Sequence, residues 1–107
     1  QLTIDMYQNE DEIVVQAFVA GVRLDELDVT VTQEMLTLKG RREAPTDRDP
    51  DSFYYQELYW GAFSRSVMLP QEVDVDEAQA SLKNGLLTIR LRRLDRARTQ
   101  RLKVKHE

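Results

Sequence analysis

The chain has 107 residues and no cysteine, with 15 Lys and Arg against 19 Asp and Glu for a formal charge of −4. That length makes one domain, large enough to hold a core without a staple, and the lack of Cys excludes disulfide and thiolate chemistry. No window approaches the ~18 consecutive apolar residues of a membrane helix and no charged-then-apolar leader opens the chain, so a cytoplasmic protein with no membrane partner is expected.

Apolar residues recur with period two almost throughout. The chain opens on Gln1 and the strand-like run Leu2 to Met6, and reads as the body of a longer protein whose N-terminal arm is absent. From Ile13, residues Ile13, Val15, Ala17 and Val19 alternate with Val14, Gln16, Phe18 and Ala20, which predicts a strand largely covered on both faces. Leu27, Val29 and Val31 alternate with Asp28, Thr30 and Thr32, a second strand with one wet face. Leu36 and Leu38 alternate with Thr37 and Lys39, so a third strand ends near Arg42.

Next comes Glu43 to Asp51, rich in Asp, Arg and Pro, the one long irregular candidate. Asp47, Asp49 and Asp51 alternate as at the start of a calcium loop. The sixth and twelfth positions of such a loop require Gly and Glu, but here they are Ser52 and Leu58, so a plain acidic loop is preferred. Its continuation, Phe53 to Trp60, holds five of the chain's eight aromatic residues, which a solvated loop would not.

The run Phe63, Arg65, Val67, Leu69 alternates with Ser64, Ser66 and Met68 until Pro70 closes it. Arg65 falls on the apolar phase. It is expected to be paired and partly buried, with Glu57 the nearest carboxylate in a strand-like context; the alternative is a slip that turns Arg65 to water. Any helix is confined to a turn near Asp76 to Ala78.

Asn84-Gly85 suits a type I′ hairpin turn, because both central residues need positive φ. Pairing Lys83 with Leu86 sets Leu82 against Leu87, Ala80 against Ile89 and Ala78 against Leu91. The polar pairs, Ser81 with Thr88 and Gln79 with Arg90, fall between them, which gives one core face and one wet face. Seven or so short strands predict an all-β antiparallel sandwich.

The first 60 residues carry 13 acids and 5 bases, and the remaining 47 carry 6 acids and 10 bases. Arg90, Arg92, Arg93, Arg96, Arg98, Arg101, Lys103 and Lys105 crowd the end, the composition of an extended, solvated tail. No aromatic stacking residue is interleaved there and the chain as a whole is acidic, so no nucleic-acid partner is expected. The single histidine, His106, is penultimate, a poor mount for a catalytic imidazole, and the His and Cys ligands of a usual zinc site are missing. Within the tail, Leu102-Lys103-Val104 is an apolar-x-apolar triplet. It suits either an extended peptide anchoring along a sheet edge or a last strand of its own domain.

Several of these stretches resemble the small heat-shock proteins. Ala80 to Leu87 is similar to the family's A-x-x-x-n-G-V-L signature, with Leu86 in place of Val. Gly61-Ala62-Phe63-Ser64-Arg65 through Leu69-Pro70 resembles its G-x-F-x-R-x-x-x-L-P run. Asp5-Met6-Tyr7 through Ala20-Gly21-Val22 resembles its opening strands, except that Ala20 replaces the usual Pro, and Leu102-Lys103-Val104 resembles its I-x-I/V anchor.

The resemblance implies an immunoglobulin-like α-crystallin domain over residues 1–94, followed by a C-terminal extension over 95–107. It further implies an ATP-independent holdase that binds unfolding client proteins as a homodimer and higher homo-oligomer. No catalysis, cofactor, metal or small-molecule substrate is implied. The long loop resembles that of the bacterial, archaeal and plant members, in which a loop strand pairs with the partner subunit. Phe53, Tyr54, Tyr55, Glu57 and Arg65 would then form the dimer contact; Leu58 departs from the Arg that often follows the Glu. Leu102 and Val104 would anchor in a groove formed by Val29, Val31, Ala80 and Leu82, between the expected edge strands. Two alternatives belong to other classes. One is a CS-type co-chaperone module that docks on the ninety-kilodalton heat-shock protein, which shares the sandwich but lacks the arginine-bearing strand and the anchor. The other is an enzyme using a carboxylate pair, for which the chain has no cleft-forming insertion.

Overall fold

The structure, a computed structural model, describes residues 2–94 and 102–106. Seven strands form: β1 (Asp5–Gln8), β2 (Glu12–Phe18), β3 (Leu27–Val31), β4 (Met35–Arg42), β5 (Gly61–Met68), β6 (Gln79–Lys83) and β7 (Leu86–Arg92). They make two antiparallel sheets, β1-β2-β7-β6 and β3-β4-β5.

Period-two alternation decides which side chains meet between the sheets. Ile13, Val15 and Ala17 of β2, with Leu87, Ile89 and Leu91 of β7, are buried in one core with Leu36 and Leu38 of β4. Each such Leu, Ile or Val contributes about 1.5–3 kcal/mol on removal from water. Opposite them the β4–β5 pair presents a polar outer face, where Thr37 and Ser66 hydroxyls lie 3.1 Å apart. Val14 is the exception in β2. It points outward yet is fully buried, flanked in register by Tyr7 and Arg90. The rest of that face is not covered as the alternation predicts: Gln16 is half-buried, Phe18 is 76% exposed and Ala20 is exposed, so β2 is covered on both faces only at Val14.

The hairpin forms in the expected register from Gln79 with Arg90 through Lys83 with Leu86, but the expected Ala78–Leu91 pair falls outside the ladder because Ala78 ends the 3-10 turn with its N–H on the Val75 carbonyl. Asn84 and Gly85 sit at φ +53° and +78°, as a type I′ turn demands. Gly85 is also a close approach, since a Cβ there would lie 2.9 Å from the Ala20 Cβ while the Gly85 carbonyl accepts the Val19 N–H at 2.8 Å.

Four expectations are corrected. The first strand is Asp5–Gln8 rather than Leu2 to Met6; Leu2 instead enters the core and Ile4 packs against it. β2 ends at Phe18 rather than Ala20, where the chain turns into the Gly85 contact. A short 3-10 turn, Leu24–Glu26, forms in addition to the one near Asp76, which is Val75–Glu77 with the Asp74 carboxylate accepting the Asp76 N–H. The basic run is not all solvated tail. Arg90 and Arg92 are β7 residues, and Arg90 pairs with Glu12 at 3.2 Å. Arg93 donates to the Gln71 side chain at 2.9 Å and to the carbonyls of Asn9 and Glu10, tying the β1–β2 turn to the stretch before β6. Arg96, Arg98, Arg101 and the expected boundary at 94/95 lie in or against 95–101, outside the described residues. Among the described residues no helix is long and apolar enough to cross a membrane.

Candidate functional site

Between β4 and β5, residues 43–60 form no strand. The loop is nonetheless shaped by its own contacts. Asp49 makes a turn: its carboxylate accepts the Asp51 N–H at 3.0 Å and its carbonyl accepts the Ser52 N–H and hydroxyl. Arg48 lies over the rings of Phe53 and Trp60, and the Tyr59 hydroxyl donates to the Ala62 carbonyl on β5. Phe53 and Trp60 are half-buried, while Tyr54 and Tyr55 are 95% and 82% exposed beside exposed Glu57, Leu58 and Tyr59. Of the expected contact residues, Tyr54, Tyr55 and Glu57 thus share one exposed loop, and Phe53 turns inward onto Arg48.

Arg65 sits apart from them, on the inward phase of β5 with Phe63 and Val67. Its guanidinium donates to the Leu2 carbonyl at 2.8 Å, and among the described residues it has no carboxylate partner. Glu57 is not its acceptor within one chain. The N-terminal stretch that enters the core supplies a backbone carbonyl instead, an acceptor that no side-chain pattern marks.

At the other side of the sandwich, β3 and β6 are edges of different sheets that lie next to each other. Between them runs an open apolar groove in two stretches, of ≈ 340 and ≈ 150 Å³. Val29 and Ala80 line both stretches, Leu82 lines the larger and Val31 the smaller. All four expected groove residues are therefore brought together. Asp28 lines the larger stretch, and the 3-10 turns that lead into β3 and β6 carry Asp25, Glu26, Asp76 and Glu77, with Asp25 paired to Arg23.

Leu102 and Val104 form no strand and are 75% and 91% exposed, with little cover from the described residues. Among the described residues no group of acidic or imidazole side chains is placed to hold a metal ion. Sequence reasoning missed Arg48 and Arg93, whose partners are ring faces and backbone carbonyls. The aromatic richness of the loop was the one signal pointing to the former.

Comparison with known proteins follows the same outline. Residues 5–105 match the model of the Hsp20/alpha crystallin family. Small heat shock protein C4 of Rickettsia felis is 30% identical over 100 residues, covering 94% of this chain and 61% of that protein. Spore protein SP21 of Stigmatella aurantiaca is 31% identical over 100 residues, covering 94% and 59% respectively. The chain thus spans about three fifths of the length of these curated relatives. Among solved structures, heat shock protein 16.0 of Schizosaccharomyces pombe superposes with a TM-score of 0.80 at 24% identity, covering 98% of this chain and 97% of the other. A small heat-shock protein from Xylella fastidiosa, described as having a distinct high order structure, gives 0.80 at 24% identity, covering 99% and 97%. These two establish a shared fold.

Proposed function

Because the chain belongs to the Hsp20/alpha crystallin family, we propose that it is an ATP-independent holdase of the cytoplasm, which pairs into dimers and larger assemblies and binds partly unfolded proteins. The observation that carries this reading is apolar surface without cover: Tyr54, Tyr55, Leu58 and Tyr59 exposed together on one loop. A monomer rarely leaves such a cluster facing water, and each large side chain gains about 1.5–3 kcal/mol when covered.

The loop supplies one contact and the groove a second. Residues 53–58 pair with the sheet of a second copy, while Leu102 and Val104 of a neighbouring copy enter the groove at Val29, Val31, Ala80 and Leu82. Both ends of this second contact are present in the chain, the open groove and the exposed triplet. Edge strands β3 and β6 offer unpaired backbone groups to an extended peptide. Two side chains make a weak joint, so assembly comes from several acting at once. Holding a client is the same physics: an unfolding protein exposes apolar segments, and their burial drives binding without nucleotide.

A CS-type co-chaperone domain shares the sandwich, but the family match and the Arg65 strand motif favour the holdase. The test is light scattering from a heat-aggregating client protein, with and without the chain, in nucleotide-free buffer. Suppressed scattering at near-equimolar chain supports the proposal, and scattering unchanged at several-fold excess contradicts it.

A further inference from the structure

We propose that Arg48 is a positioning residue for self-association, holding the β4–β5 loop in one shape so that its aromatic surface meets a second copy of the chain already formed. This rests on the pairing reading above and adds a residue which that reading does not use.

The guanidinium carbon of Arg48 lies 4.6 Å from the Phe53 ring centroid and 5.4 Å from that of Trp60, over both rings. A cation is attracted to the face of each ring, and a planar guanidinium can serve two faces at once. Seven unrestrained peptide steps from residue 53 to residue 60 could reach ~23 Å, whereas a shared cation holds the two ring centroids within about 10 Å of each other. The loop is thus drawn closed across its own width. The Asp49 turn secures its near end, and the Tyr59 hydroxyl on the Ala62 carbonyl secures its far end.

This closure sorts the aromatic side chains. Phe53 and Trp60 turn onto Arg48, and Tyr54, Tyr55, Leu58 and Tyr59 are left facing out. A surface ordered before its partner arrives binds more tightly than one ordered during binding, because the loss of chain freedom has already occurred. The occupant is a second copy. The loop runs directly into edge strand β5, and β1, the matching edge of the other sheet, carries Met6 and half-exposed Tyr7. A like chain can therefore offer an open edge and receive one in return, the self-complementary exchange of a two-fold dimer.

Trp60 is the sole tryptophan, so its fluorescence reports this loop alone. Arg48→Ala and Arg48→Lys are made in the full chain, and three quantities are measured: Trp60 emission with acrylamide quenching, the dimer dissociation constant by sedimentation, and the melting temperature. For Arg48→Ala the expected result is a red-shifted, more readily quenched Trp60 and a dimer weakened about tenfold. Arg48→Lys recovers part of both effects, and the melting temperature of the sandwich, read under monomeric conditions, stays within about two degrees in either variant. Unchanged Trp60 emission and quenching in Arg48→Ala overturns the proposal. So does a shifted Trp60 with an unchanged or tighter dimer. A wild-type chain that stays monomeric overturns the pairing reading itself, while the Trp60 comparison still decides whether Arg48 holds the loop.

Discussion

The ring of Phe63 lies flat across Gly40, its cross-strand neighbour, so closely that a Cβ added to Gly40 would fall at 3.0 Å or less from three ring atoms. Arg42 also lies over this ring, its guanidinium 5.6 Å from the centroid while its Nε donates to the Ala20 carbonyl at 2.8 Å. The absent side chain of Gly40 is thus the space that Phe63 fills. Gly40→Ala should destabilise the sandwich by about 1–3 kcal/mol, since the ring must leave its position in a packed setting. Urea unfolding checks this; a midpoint equal to wild type would mean that the ring moves aside freely.

Arg65 gives the second prediction. Its donor reaches the Leu2 carbonyl, so its removal orphans a neutral acceptor rather than a carboxylate. Arg65→Met keeps the stem and deletes the charged hydrogen bond, for an expected loss of about 1.5–3 kcal/mol. Guanidinium denaturation of the monomer measures it. A loss below about 0.3 kcal/mol would show that the contact contributes nothing to the single chain.

Arg93 gives the third. One side chain serves Gln71 and two carbonyls of the β1–β2 turn. Arg93→Lys keeps the charge but lacks the planar fork, so amides at residues 9–12 and 71–73 should exchange with solvent at least tenfold faster while those of β2 and β7 stay protected. Equal protection at residues 9–12 would contradict the clamp.

These three contacts mark what a sequence makes legible. Where turn chemistry and alternating flanks combine, the pairing is readable: Asn84-Gly85 sets every pair of the β6–β7 ladder, and Val29, Val31, Ala80 and Leu82, read as positions on two edge strands, line one groove. The Arg90–Glu12 pair between β7 and β2 has no such signal. Where a side chain answers a backbone carbonyl, nothing in the residue types announces it, and where one answers a ring face the only signal is the aromatic richness of residues 53–60. Arg65 found Leu2, Arg93 found Asn9 and Glu10, and Arg48 found Phe53 and Trp60. Alternation puts Val14 and Phe18 on one face and cannot tell that Val14, between Tyr7 and Arg90 in register, is buried while Phe18 is exposed.

The fourth prediction concerns the tail. Lys103 and Lys105 alternate with Leu102 and Val104, Asp28 lines the groove, and the turns leading into its two strands carry Asp25, Glu26, Asp76 and Glu77. Assemblies larger than a dimer should therefore fall to dimers in Leu102→Ala with Val104→Ala. In wild type they should shrink as salt rises from 0.05 to 0.5 M, where screening shortens the reach of these charges. Sedimentation at fixed chain concentration reads both. Assemblies that ignore the double substitution would show that the triplet is not an anchor.

The central claim is that the exposed aromatic loop is where two copies join. Removing residues 47–58 leaves residues 43–46 and 59–60 to connect β4 to β5, long enough for antiparallel neighbours. Sedimentation equilibrium of this variant, with circular dichroism to confirm the sheets, is the most direct measurement. A folded monomer where the wild type is a dimer is the predicted result, and a folded dimer of wild-type affinity would contradict it.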